Sequence, residues 1–151
     1  MTFDRLAQYG PFPLRIFAGV AFIAHGIPKL SNIAGTEHFF SSMIGLPASL
    51  ALPIGLLEVV GGIALIIGLL TRIASILLII EMIGSTLVAK IPKGFVGGYE
   101  LDLLLMAVAI SLLLTGPGRL SVEWNILRRE IFPKGKQMVL QQEQGHSRVT
   151  S

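Results

Sequence analysis

Two apolar segments of membrane-spanning length, folded back on each other at Leu70-Thr71-Arg72, constrain this chain more than any other feature. Each segment carries a single acid near its middle, Glu58 in the first and Glu81 in the second. A carboxylate at the centre of a spanning helix costs roughly 2.5–3.5 kcal/mol on insertion scales. At a rise of about 1.5 Å per residue, Glu58 is expected about 18 Å from the turn and Glu81 about 14 Å from it. The two acids are therefore expected at neighbouring depths, and the groups that they face should decide the function.

The composition of the whole chain is that of an integral membrane protein. Of its 151 residues, 52% are hydrophobic and 14% are charged, and the mean hydropathy is +0.74. These values predict an all-α membrane protein with a single domain over residues 1–151. The chain has no cysteine, which excludes disulfides, cysteine-ligated zinc or iron–sulfur sites and covalent haem attachment within it.

The hydropathy pattern predicts a bundle of four spanning helices, at about residues 14–30, 48–70, 71–91 and 99–115. A short helix is expected at 37–43, in the connection between the first two spans. Gly61-Gly62 follows Glu58 by one turn. Paired glycines in a spanning helix predict close approach to a neighbouring helix, so Glu58 is expected at a helix interface rather than in lipid.

The C-terminal region is predicted to leave the bundle. Gly116-Pro117-Gly118 ends the last span. Apolar residues then recur with helical spacing over 120–131, namely Leu120, Trp124, Leu127 and Ile131, against Glu123, Asn125, Arg128 and Arg129. This pattern predicts an amphipathic helix lying in the membrane interface. The polar and basic residues 133–151 are expected to form a disordered tail.

The distribution of positive charge predicts the orientation in the membrane. Four spans place both termini on one side. That side would hold nine basic residues: Arg5, Arg15, Arg72, Arg119, Arg128, Arg129, Lys134, Lys136 and Arg148. The other side would hold three, namely Lys29, Lys90 and Lys93. The positive-inside rule therefore predicts a multi-pass protein of the plasma membrane with both termini in the cytoplasm.

Ionisable residues from all four spans are predicted to gather in the middle and outer parts of the bundle: His25, Lys29, Glu58, Glu81 and Glu100. This cluster indicates a polar pocket that holds a small polar or amphipathic ligand and exchanges protons with it. The alternative is that these groups pair with one another and only fix the helices in register. Lys29 could equally snorkel to the interface, Glu100 and Asp102 suit the first turn of the last helix, and Arg15 and Arg72 are expected to anchor the inner interface.

Several other classes of function are not supported. Haem bound between two intramembrane histidines would need a second one beside His25. No metal site, nucleotide-binding loop or nucleophile elbow is recognisable. The basic residues lie at predicted interfaces, so the expected partners are membrane lipids and membrane subunits or further copies of the chain, and not nucleic acid.

The motifs of the chain resemble those of DoxX/DoxD-like membrane proteins. Phe22-Ile-Ala-His25-Gly26-Ile-Pro-Lys29-Leu30 is similar to the family pattern in the first span, and Gly45-Leu46-Pro47 to the pattern that opens the second. The others are Glu58-Val-Val-Gly61-Gly62, Thr71-Arg72, Gly98-Tyr99-Glu100 and Gly116-Pro117-Gly118-Arg119-Leu120-Ser121. The chain departs from the family at Ala89-Lys90, where members often carry His or Asn, and at Ser121-Val-Glu123, where many have Ser-x-Asp.

The resemblance implies a four-helix membrane protein, some of whose relatives are small subunits of quinol- and quinone-linked oxidoreductases. The resulting hypothesis is a subunit of a respiratory assembly that contains no redox centre of its own and binds quinone at the His25, Lys29, Glu58, Glu81 and Glu100 cluster. Two alternatives remain: a structural or assembly subunit that has no ligand, and a transporter of small solutes.

Overall fold

The computed structural model of the protein describes residues 7–127, and this part of the chain is all helical. Four of its segments are long and apolar enough to cross a membrane, as the sequence predicts. The helices are α1 (Pro11–Ser31), α2 (Ile33–His38), α3 (Ala51–Ile67), α4 (Thr71–Ser85) and α5 (Glu100–Thr115). The predicted tail at 133–151 lies outside the described residues.

Short irregular turns lengthen two of the spanning helices. A 3₁₀ turn, Ala48–Leu50, leads into α3, while α4 continues through a π turn, Thr86–Lys90, and a 3₁₀ turn, Ile91–Lys93. The second span ends at Ile67, three residues before the predicted end at 70. The chain reverses there because Gly68 and Leu70 adopt left-handed conformations, with φ of 69° and 52°, which an α-helix cannot continue.

Helices α1 and α3 pack backbone to backbone through glycines. A Cβ placed on Gly62 would lie 2.7 Å from the carbonyl oxygen of Gly19, and one on Gly26 would lie 2.9 Å from Cβ of Glu58. Neither position has room for a side chain. The close approach predicted at Gly61-Gly62 is therefore confirmed, and it brings the first turn after Glu58 against α1.

At the end of the bundle that holds both the start of α1 and the end of α5, a buried arginine joins three segments. The Arg15 side chain donates hydrogen bonds to backbone carbonyls of Leu65, Ile66, Pro117 and Leu120. These carbonyls belong to the last turn of α3 and to the loop after α5. Arg15 was expected to anchor the membrane interface, but it is turned inward and is only 1% exposed. It satisfies carbonyl groups that would otherwise be unpaired.

Glu123 completes this end of the bundle. Its carboxylate Oε1 accepts a hydrogen bond of 2.9 Å from the backbone N–H of Thr71, and its own N–H donates to the carbonyl of Gly68. Glu123 is buried, so its predicted place on the polar face of an interfacial helix is wrong. The structure forms one π turn, Glu123–Leu127, and residues 128–131 lie outside the described region. The interfacial helix at 120–131 stays a prediction.

Helix α2 and a π turn, Phe39–Met43, fill the connection between the first two spans. The helix that the sequence predicts at 37–43 therefore begins earlier, at Ile33, where the side chain of Asn32 accepts a hydrogen bond from the N–H of Gly35. Phe40 is buried, so this connection packs onto the opposite end of the bundle from Arg15.

Candidate functional site

One lysine serves two buried carboxylates near the α2 end of the bundle. The ammonium Nζ of Lys29, on α1, lies 2.7 Å from Oε1 of Glu58 on α3 and 3.9 Å from Oε1 of Glu81 on α4. The side chains of Glu58 and Glu81 are 1% and 6% exposed, and that of Lys29 is 27% exposed. Lys29 thus links three helices and does not simply snorkel. Because both acids lie near the same ammonium, they are at neighbouring depths in the bundle, as the sequence predicts.

Each of these acids also has a carboxylate oxygen without a hydrogen bond. Oε2 of Glu58 and Oε2 of Glu81 are buried and find no donor among the described residues. Buried polar atoms are hydrogen-bonded in the great majority of cases, and an unpaired one costs about 1–3 kcal/mol. The cluster therefore has hydrogen-bond acceptors and negative charge beyond what Lys29 satisfies. The cluster is therefore suited to bind a proton or the hydrogen-bond donor of a ligand.

His25 lies one turn before Lys29 on the same helix. Its ring Nδ1 is 2.7 Å from the carbonyl oxygen of Ala21. Because a carbonyl only accepts hydrogen bonds, Nδ1 must carry the hydrogen, and in the neutral ring Nε2 is then an acceptor. His25 borders the same cavity as Lys29, Glu58 and Glu81. A neutral imidazole with a free acceptor nitrogen can take a proton from a hydroxyl group.

These four residues line a cavity of about 480 Å³, a volume within the usual range for small-molecule sites. Apolar side chains form most of its wall. Those from α3, α4 and the π turn after α4 are Ile54, Leu57, Leu77, Ile80, Met82 and Val88, and the connection after α2 adds Phe39, Phe40, Ile44 and Leu46. The cavity thus combines a mainly apolar wall with one concentrated polar patch, which suits an amphipathic ligand.

A second ion pair stands beside the first. Nζ of Lys90 lies 2.5 Å from Oδ1 of Asp102, and the hydroxyl of Thr86 donates to Oδ2 of the same carboxylate at 3.2 Å. Lys90 lines the cavity, whereas Asp102 is buried behind it on α5. The sequence analysis left Asp102 out of the site because the helix dipole explains an acid in the first turn. Thr86 and Lys90 are four residues apart on one helical face, which was the available signal.

The structure does not bring Glu100 to this cluster. Glu100 is exposed, and its Oε1 accepts a hydrogen bond of 2.9 Å from the N–H of Gly97 in the turn before α5. It does not line the cavity. Of the five residues that the sequence proposes, His25, Lys29, Glu58 and Glu81 surround one cavity, while Glu100 stabilises a turn. Within residues 7–127, no group of three or more His, Cys, Asp or Glu side chains is arranged to hold a metal ion.

Comparisons with known proteins agree with this membrane architecture. The family pattern named DoxX matches residues 10–91, a region that includes all four cavity residues just described. A protein of Bacillus subtilis (strain 168), named "Putative oxidoreductase CatD", is 37% identical over 116 residues. That alignment covers 77% of this chain and 86% of the Bacillus protein. No solved structure matches the chain.

Proposed function

This chain belongs to the DoxX family of membrane proteins, and on that premise we propose that it binds a quinone or quinol as a small subunit of a membrane redox assembly. The polar end of the ligand would lie against His25, Lys29, Glu58 and Glu81. A partner subunit would carry the redox centre. The oxidoreductase name of the Bacillus relative is in keeping with this role.

The single observation that carries the proposal is the shared lysine at the wall of an apolar cavity. Nζ of Lys29 contacts Glu58 and approaches Glu81, while one oxygen of each acid has no donor among the described residues. A quinol hydroxyl both donates and accepts hydrogen bonds. It would donate to one of these acceptors and accept from Lys29, which carries three N–H donors.

The chemistry of such a site is proton transfer linked to electron transfer. Oxidation of a quinol to a quinone releases two protons and two electrons from its two hydroxyl groups. In our proposal the protons pass to Nε2 of His25 and to a carboxylate of the Glu58–Glu81 pair, and the electrons pass to the redox centre of the partner. Both carboxylates are buried, so in this proposal the protons pass directly to the positioned side chains.

A matched pair of variants tests the site. Glu58→Gln keeps the size of the side chain but removes its charge and its capacity to take a proton. Glu100→Gln makes the same chemical change at a glutamate that lies outside the cavity. We expect the purified parent protein in lipid nanodiscs to bind decyl-tailed benzoquinol. Glu58→Gln should weaken this binding about tenfold or more, corresponding to the loss of one hydrogen bond to a charged group. Glu100→Gln should match the parent.

Two results would overturn the proposal. One is a parent protein that binds neither the quinol nor the quinone form. The other is equal weakening of binding by Glu58→Gln and Glu100→Gln, because the effect would then not depend on the cavity. Mass spectrometry of lipophilic molecules that co-purify with the parent protein provides an independent measurement, for which we expect a quinone.

A purely structural role is the second candidate, because both ion pairs join different helices. Lys29 links α1 to α3 and α4, and Lys90 links α4 to Asp102 on α5. An assembly subunit would need these contacts only to hold its helices in register. Such a protein would retain partner binding in Glu58→Gln whenever the variant folds, and it would bind no quinone.

The proposed assembly lies in the plasma membrane, with both termini in the cytoplasm. The support for this orientation is the excess of basic residues in the predicted inner segments. The quinone site would then lie toward the outer half of the bilayer.

A further inference from the structure

We propose that the cavity is entered sideways from the bilayer, between α3 and α4, and that its ligand carries an apolar tail which stays in that opening. This inference rests on the proposed quinone site and narrows its ligand to lipid-soluble, tailed molecules. The alternative is a water-soluble molecule that enters from the α2 end of the bundle.

The first observation is that part of the cavity wall is also the outer surface of the bundle. Leu77, Ile80 and Val88 all line the cavity, yet they are 44%, 62% and 39% exposed. Together with Gly84 they recur every three or four residues along α4 and the π turn that continues it, which places them on one helical face. In a spanning helix, an exposed apolar face contacts lipid. The cavity is therefore continuous with the lipid-facing surface of α4.

The second observation is where α3 and α4 come close and where they do not. A Cβ on Gly61 of α3 would lie 3.3 Å from the side chain of Leu78 on α4, so the helices are in contact at this level. One turn nearer the α2 end, Leu57 on α3 and Glu81 on α4 both border the cavity. The cavity therefore reaches between the two helices on the α2 side of the Gly61–Leu78 contact.

The third observation concerns the end of the cavity toward the aqueous phase. Phe39, Phe40, Ile44 and Leu46 line the cavity there, and Phe40 is only 6% exposed. A polar molecule from the aqueous phase would have to pass these apolar side chains or enter beside Lys93, an exposed residue that also borders the cavity. A lipid-soluble molecule on the sideways route meets apolar side chains, among them Leu77, Ile80 and Val88, and these match its tail.

The chemistry of the two ends of the cavity fits one tailed ligand. The charged groups of Lys29, Glu58 and Glu81 can bind a polar head, while the exposed face of α4 can bind a tail. If the ligand had no tail, lipid chains would occupy the opening beside Ile80. The expected ligand is therefore a quinone or quinol whose tail lies past Ile80 and Gly84 into the bilayer.

Gly84 allows this opening to be filled without crowding the fold. A Cβ at Gly84 would meet no atom within 4 Å, so a side chain can start there without a clash, and Gly84→Phe is the test variant. Val60→Phe is the matched control, since Val60 is 61% exposed on α3 and does not line the cavity. Each protein would be placed in lipid nanodiscs and titrated with decyl-tailed benzoquinone and with the same headgroup lacking the tail, with concentrations expressed per lipid.

We expect the parent protein to bind the tailed probe more tightly than the tail-less one. Gly84→Phe should weaken binding of the tailed probe about tenfold or more, and Val60→Phe should leave it unchanged. A diazirine group in the tail should crosslink to peptides that contain residues 77–88. Equal affinity for the two probes, no effect of Gly84→Phe or crosslinks confined to residues 39–46 would overturn sideways entry. If sideways entry fails in this way but quinone binding still depends on Glu58, the proposed function stands. If the parent protein binds neither probe, the proposed function is refuted as well.

Discussion

Lys29 and Glu58 form an ion pair of 2.7 Å between α1 and α3, in which the carboxylate is buried and the lysine is partly exposed. The same ammonium lies 3.9 Å from Glu81. One cation thus pairs with an acid on α3 and lies near a second acid on α4. The loss of the lysine should therefore affect the protein more than the loss of either acid.

The first prediction compares Lys29→Met with Glu58→Gln. Lys29→Met leaves two buried carboxylates without their cation, and removal of one partner from a buried pair typically costs about 3–5 kcal/mol. Glu58→Gln should cost less, because Lys29 can still pair with Glu81. We expect thermal unfolding in detergent to give the order Lys29→Met, Glu58→Gln, parent, from lowest to highest midpoint. A Lys29→Met midpoint equal to that of the parent would show that the lysine does not stabilise these acids.

The second prediction concerns the buried arginine at the opposite end. Arg15→Lys keeps the positive charge but loses the planar fork that donates to four carbonyl groups of two separate segments. Each buried carbonyl left without a donor costs about 1–3 kcal/mol, so we expect a loss of stability of about 2 kcal/mol or more. Arg119→Lys is the control, since Arg119 lies over the rings of Tyr9 and Trp124 and is less buried. Similar unfolding midpoints for the two variants would contradict this account.

The architecture could be predicted from the sequence because a spanning helix is recognised from properties of one continuous segment. Length and hydropathy alone identify the four segments, and the glycine pair after Glu58 indicates which helix face packs closely. The end of α3 was placed three residues late, since the left-handed conformation of Leu70 is unusual for a residue with a branched side chain. The position of Arg15 near the start of the first span predicts a place at the interface. The carbonyl groups that it binds come from segments about 50 and 100 residues away, and the sequence does not show that they surround it.

The site was predicted only in part, for a similar reason. The depth of Glu58 and Glu81 follows from counting residues away from a tight turn, and the spacing of His25 and Lys29 places them on one face. Glu100 and Asp102 stand at the same depth, and the helix dipole explains both equally well. They are two residues apart, so they point to different sides of α5. The structure shows that Asp102 pairs with Lys90, whereas Glu100 accepts a hydrogen bond from the turn before α5.

The third prediction uses two glycines that differ in their surroundings. Gly62→Ala would place a Cβ 2.7 Å from the carbonyl of Gly19, so α1 and α3 would have to separate. Overpacking of this kind costs about 1–3 kcal/mol. Gly84→Ala meets nothing within 4 Å and should be neutral or slightly stabilising, because alanine is the better helix former. Unfolding midpoints in detergent test both, and a Gly62→Ala protein as stable as the parent would contradict the close packing of α1 against α3.

The last prediction concerns orientation. The structure places Arg15 and Arg119 at one end of the bundle and Lys29 and Lys90 at the other, so these members of the two predicted sets of charges are separated in space. The natural chain has no cysteine, so a single introduced cysteine can be labelled without background. Ser42→Cys, at an exposed position after α2, should react with an impermeant maleimide on intact cells. Ser147→Cys, whose position lies outside the described residues, should react only after the cells are opened. The reverse pattern would place both termini outside and the cavity in the inner half of the bilayer, and a quinol bound there would release its protons to the cytoplasmic side.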